Sequence, residues 1–156
     1  MNVRKKFLIF HDLEHRDSGL YVSSPRHISI LQPFYITDEY DRLSSIVDQI
    51  ARRTKPFTIS AGEPDMFGHQ RDIAVERVVD NEGGLSSLHY RLMLGLGKRG
   101  LDYLIDTEWS GIRYNPHSTK VEGVPFPDDP YTVNDISYYV ADREDRKHVV
   151  RVSFSS

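Results

Sequence analysis

Pro25-Arg26-His27-Ile28-Ser29-Ile30-Leu31-Gln32-Pro33-Phe34 is the stretch that decides the fold. Ile28, Ile30 and Leu31 favour an extended strand, and Pro33 is expected to stop it because proline cannot donate to a ladder. In a strand, side chains at i and i+2 point to the same face. His27 and Ser29 therefore project together. A second segment, Tyr114-Asn115-Pro116-His117-Ser118-Thr119-Lys120-Val121, repeats the arrangement. Pro116 can open a strand, and His117 and Thr119 share a face. Two such pairs facing one another would supply two titrating imidazoles and two hydroxyl donors around one small anion. That set can cleave a phosphodiester without a metal, since it provides a base, an acid and donors for the non-bridging oxygens.

The elements around these segments follow from hydrophobic periodicity. Phe7 to Phe10 reads as a buried strand. Thr37 or Asp38 can cap a helix running to about Arg53, with Leu43, Ile46, Val47 and Ile50 as its apolar stripe. Phe57 and Ile59 alternate with polar residues as in a half-buried strand, which Gly62 and Pro64 are expected to end. Ile73 and Val75 mark another strand. Leu85, Leu88, Leu92 and Leu96 define a second amphipathic helix with Gly97 or Gly100 as its stop. A Pro-rich loop follows Val121, and Tyr131 to Val140 and His148 to Phe154 read as a final antiparallel pair. The order strand, histidine strand, helix, strand, strand occurs about once in each half. The expectation is an α+β fold over residues 1–156: a single domain of two antiparallel-sheet lobes in a pseudo-two-fold relation. The helices lie outside and an active-site cleft lies between the sheets.

Composition narrows the function classes. A chain of 156 residues suits one domain and can bury a core without staples. It has no cysteine, which excludes disulfides and thiolate metal sites and is compatible with a cytoplasmic setting. No apolar run approaches the roughly 20 residues of a membrane span. The net charge is −3, so a short nucleotide or a terminal phosphate is a more natural ligand than a long nucleic-acid backbone.

The segment PRHISILQPF resembles the first signature of the two-histidine phosphoesterase superfamily, the 2′-5′ RNA ligase-like and cyclic phosphodiesterase proteins, and NPHSTKV resembles the second. The likeness extends from about Phe7 onward through FTISAGEPDMFGHQRDIAVERV, LSSLHYRLMLGLG and YTVNDISYYVADREDRKHVVRVSF. One departure stands out. The residues after each of His117 and Thr119 are normally apolar, and here they are Ser118 and Lys120. The opposite face of that strand is therefore expected to be wetter than usual. The resemblance implies a metal-independent phosphodiesterase with no cofactor, acting on a 2′,3′-cyclic phosphate, a 2′-5′ linkage or a cyclic oligonucleotide. Some such relatives are carried by bacteriophages and destroy host signalling nucleotides. The partner would be a nucleotide, a cyclic oligonucleotide or an RNA terminus. A non-catalytic nucleotide-binding module on the same fold is the alternative.

His27 and His117 are the expected catalytic pair, and Ser29 and Thr119 the expected phosphate donors. Tyr35, Tyr114 and Trp109 lie near the motifs, where stacking on a base is worth about 1–3 kcal/mol. Arg26 and Arg71 are candidates for a second phosphate. His11-Asp12-Leu13-Glu14-His15 has the i, i+4 histidine spacing of a zinc helix. It meets Ser18-Gly19 too soon for a stable helix and reads as a charged loop. His69 and His148 have no evident partners, and His89, between Leu85, Leu88 and Leu92, is expected exposed or half-buried.

Overall fold

A computed structural model describes residues 4–68, 70–97, 114–127, 129–143 and 145–155. It contains strands β1 (Lys5–Asp12), β2 (Gly19–Tyr21), β3 (His27–Ile36), β4 (Phe57–Phe67), β5 (Ile73–Val79), β6 (His117–Thr119), β7 (Tyr131–Val133), β8 (Asp135–Arg143) and β9 (Arg146–Ser153), with helices α1 (Tyr40–Arg52) and α2 (Gly84–Leu96). The strands form one sheet in the order β2-β9-β8-β1-β3-β6-β5-β4-β7, and the pairings are antiparallel. The α+β antiparallel architecture is as expected. Its two lobes are the halves of this sheet, and they join where β3 meets β6.

Alternation along the strands gives the sheet two faces. Phe7, Ile9, Ile28, Ile30, Ile59, Val78, Ile136 and Val152 pack on one face against Leu43, Val47 and Ala51 of α1 and Leu85, Leu88, Leu92 and Leu96 of α2. The four leucines are fully buried. At about 1.5–3 kcal/mol per buried leucine, this stripe is what holds α2 on the sheet. A smaller cluster of Leu8, Phe10, Tyr139, Ala141 and Val149 lies on the other face. Asp80 caps α2 by accepting the amide protons of Leu85 and Ser86, both at 2.9 Å. Neither Thr37 nor Asp38 caps α1. Glu39 stands at that position, and its carboxylate turns back to accept the amide protons of both residues.

Three strands run on past their expected ends or break early. β3 continues through Pro33 to Ile36, because β6 leaves its side after Ile28. On its other side the register with β1 shifts between Phe7 and Ile9, so no ladder bond is asked of Pro33. β4 continues through Gly62 and Pro64 because a bulge between Ala61 and Pro64 absorbs them. A Cβ at Gly62 would lie 2.7 Å from the Arg77 carbonyl oxygen, so that approach requires glycine. The expected strand from Tyr131 to Val140 is divided at Asn134 into β7, which pairs with β4, and β8, which pairs with β1 and β9.

Candidate active site

Both histidine segments begin a strand, and the register decides where their side chains go. Ile28 of β3 stands opposite Ser118 of β6. In an antiparallel pair, Ser29 then stands opposite His117, and His27 opposite Thr119. The four side chains form a two-by-two set on the sheet face away from the helices. The imidazoles occupy its diagonal, where backbones are about 7–8 Å apart. The same register extends both rows. One reads Asp65, Val75, Thr119, His27, Asp12, and the other Arg77, His117, Ser29, Phe10, Ser137.

Each imidazole is fixed in the same way. His27 Nδ1 donates to the Pro25 carbonyl and His117 Nδ1 to the Asn115 carbonyl, both at 2.8 Å. A carbonyl only accepts, so the neutral ring must carry its proton on Nδ1. Nε2 is left as the nitrogen that can take a proton. Burial pushes the pKa of both rings below the ordinary histidine value, because the charged ring loses water. The two carbonyls partly offset this. For His27 the Asp12 carboxylate also favours the charged form, and His117 itself disfavours it.

The flanks of the pair differ. The Phe10 ring meets His27 edge-on at 5.4 Å between centroids, and Phe67 packs against His117 at 4.4 Å. Asp12 is buried, and its carboxylate accepts the Glu14 amide at 2.7 Å and the Arg16 amide at 3.2 Å. Beside His117, the Arg77 guanidinium donates to Asp65 at 2.8 Å. Arg71, 74 % exposed, reaches the other oxygen of Asp65 at 3.5 Å from the β4–β5 turn, on the rim of the same face. A cavity of about 280 Å³ opens next to His117 and Ser29, with Leu31, Pro33, Phe67 and Tyr114 as apolar walls and Gln32 and Asn115 as polar ones. Arg77, Phe67 and Gln32 were not identified in the sequence. Only the cross-strand register, which links β5 and β6 residue by residue, brings Arg77 to the site.

Other sequence candidates lie elsewhere. Arg26 is only 2 % exposed and points to the helix-bearing face, away from His27. Its guanidinium is spent on Ser118, Glu76 and the Val124 carbonyl, so it is not a free phosphate ligand. Tyr35 is eight residues beyond His27 along β3, roughly 26 Å at strand rise, and lies beneath Arg4. That distance puts it beyond reach of the same phosphate. Tyr114 lines the cavity, but one face of its ring is stacked on His89 at 4.2 Å and its hydroxyl donates to the Ser29 carbonyl. His89, contrary to expectation, is fully buried, and its Nδ1 donates to the Ile30 carbonyl at 2.7 Å. That carbonyl lies where β6 has left the edge of β3, so a side chain supplies the missing donor. Trp109, His69 and Gly100 lie outside the described residues.

His11 and His15 do not form a helix pair. His11 is buried, with Nδ1 donating to the Asp135 carbonyl and Nε2 bonded to the Tyr131 hydroxyl at 2.7 Å, which also meets His15 at 3.2 Å. Among the described residues, no group of three or more His, Asp or Glu side chains is arranged to hold a metal ion. No helix there is long and apolar enough to cross a membrane.

Comparison with known proteins bears on the fold and the family. The chain is similar in fold to Escherichia coli LigT in its apo form (17 % identity, TM-score 0.63, 99 % of each chain covered). It is also similar to TT0787 of Thermus thermophilus (14 % identity, TM-score 0.64, 95 % of this chain and 97 % of the other). LigT has been seen in complex with 3′-AMP, in a structure that matches at 17 % identity and a TM-score of 0.62 over 98 % of this chain and 99 % of the other. No curated protein sequence matches. The family model of the 2′-5′ RNA ligase superfamily matches residues 5–143. With a histidine–hydroxyl pair on each of two adjoining strands and a family match over most of its length, the chain belongs to the 2′-5′ RNA ligase superfamily of two-histidine phosphoesterases.

Proposed function

We propose that residues 1–156 act as a single-domain, metal-independent phosphodiesterase. It hydrolyses nucleotide or RNA-type phosphodiesters: a 2′,3′-cyclic phosphate, a 2′-5′ linkage or a cyclic oligonucleotide. The observation that carries this reading is the two-by-two set of His27, Ser29, His117 and Thr119, with both imidazoles held at Nδ1 so that both Nε2 atoms remain for proton transfer. A water oxygen attacks phosphorus in line and loses its proton to the neutral imidazole. The bond from phosphorus to the leaving ribose oxygen breaks, and that oxygen takes a proton from the imidazolium. The products are a phosphomonoester and a free hydroxyl. Ser29 and Thr119 donate to the non-bridging oxygens, whose charge rises in the transition state.

The two rings have unlike neighbours. Asp12, in the row of His27, favours imidazolium there, whereas Arg77 stands directly beside His117. Burial lowers the pKa of both rings, so either imidazole can serve as the base, and the orientation of the bound substrate decides which. The cavity next to His117 and Ser29 has apolar walls for a base and two amides that can meet its edge, and Gln32 Oε1 is buried there without a hydrogen-bond partner among the described residues. That a solved relative by fold binds 3′-AMP supports a nucleotide as ligand.

A screen of 2′,3′-cyclic nucleotides, 2′-5′ dinucleotides and cyclic oligonucleotides, with products identified, tests this reading. Turnover of at least one class, undiminished by exhaustive chelation, is expected. Binding of nucleotides without turnover would favour the non-catalytic module. Activity lost on chelation and restored by zinc would point to metal chemistry instead.

A further inference from the structure

We propose that Arg26 is a positioning residue that sets the separation of the two imidazoles from the opposite face of the sheet. The inference rests on the catalytic reading of His27 and His117.

The seam between β3 and β6 is the place where the site needs the closest tolerance. A displacement of about 1 Å between reacting groups can cost on the order of 10²-fold in rate. Yet this seam consists of the single pair Ile28–Ser118, and β6 is three residues long. Neighbouring strands could shift it easily. Arg26 bridges it from behind. Nε donates to Ser118 Oγ at 2.9 Å, Nη2 to Glu76 Oε1 of β5 at 3.1 Å, and Nη1 to the Val124 carbonyl at 2.8 Å in the loop that follows β6.

One rigid planar fork thus ties three chain segments to the residue that precedes His27. Ser118, its first acceptor, lies between His117 and Thr119. Phe126 covers the guanidinium, with the carbon centre 5.6 Å from the ring centroid. The buried setting keeps water from competing for these bonds. The polar Ser118, where the family pattern has an apolar residue, is explained by this bond, because a valine there would leave Nε without an acceptor. Lysine at position 26 would keep the charge but not the three fixed directions.

The test compares Arg26→Lys and Ser118→Val with the parent protein. Each variant is expected to lose about ten-fold or more in kcat, with KM changed less than about three-fold, and to remain folded by circular dichroism. The second readout needs no turnover. Imidazole ¹⁵N titrations by NMR should show His27 and His117 coupled in the parent and less coupled in both variants, with cross-strand nuclear Overhauser contacts between β3 and β6 weakened. If Arg26→Lys does not fold, Ser118→Val alone decides. Parental kcat in the folded variants, or unchanged titrations and cross-strand contacts, overturns the proposal. If the parent turns over no phosphodiester, the catalytic reading fails while the NMR comparison still decides whether Arg26 holds the seam.

Discussion

The His27 half of the site and the His117 half are built with unequal security. His27 opens a ten-residue strand that β1 flanks along most of its length, and its neighbours Asp12 and Phe10 are both buried. His117 opens a three-residue strand, borders a cavity, and has the half-exposed Arg77 beside it. The first half is walled by buried side chains, whereas the second opens onto the cavity. The proposed acid–base pair thus straddles the seam, while the cavity lies on the His117 side.

The largest expected effect would erase the comparison. His27→Ala and His117→Ala should each lower turnover at least about 10²-fold with the fold intact, and the double variant should be little worse than either single one, because the pair acts as a unit. Near-parental turnover by either single variant on a confirmed substrate would falsify the pairing.

Changes in the flanks should separate the halves. Arg77→Ala, on the exposed side, is expected to raise KM about three- to ten-fold while leaving kcat within about two-fold, as for loss of a surface contact to phosphate. Steady-state kinetics at low salt would show it. Asp12→Asn acts on the buried side. It removes the carboxylate that favours His27 imidazolium, so the His27 pKa should fall. The limb of the bell-shaped rate profile that belongs to His27 should then move toward acid. A profile with both limbs in place, or with a limb moved toward alkali, would show that Asp12 does not act on His27.

Stability offers a smaller signal. The pKa values of His27, His89 and His117 are all lowered in the folded chain, with burial as the first cause. The unfolded chain then binds more protons below the ordinary value of about 6.5, so stability should be full above that pH and decline as pH falls through it. Melting temperatures at pH 7.5 and 5.5 would test the sign. The smallest effect is assigned to Tyr35→Ala, at the far end of β3, which should leave kcat/KM within about two-fold. A larger loss would show that the ligand extends along the whole strand.

What could be read in the sequence follows from what each signal depends on. The faces of His27 and Ser29, and the leucine stripe of α2, depend only on local periodicity, and both are found as expected. Pro33 and Pro64 misled because a proline ends a strand only where its missing amide is needed. Here an unpaired edge and a bulge remove that need. Arg26 misled because alternation could say that it lies opposite His27 but not that the distant Val124 and Phe126 cover it there. His89 is buried by a carbonyl fifty-nine residues earlier in the chain, which no window of sequence contains.

The alternation of β3, β5 and β6 also separates what can drift from what must be inherited together. Phe67, Arg77 and Gln32 border the open face or its cavity, and the Arg77 guanidinium is bonded to Asp65 instead of either of the others. A lineage could exchange them singly as its ligand changes. The buried Arg26 and Ser118 bond to one another and Arg26 also to the partly exposed Glu76, and any one of the three replaced alone leaves a buried donor or acceptor unpaired. Among descendants of this chain, those three positions should change as a block, and the strand that carries the histidines should hold a record of both tempos in alternate residues.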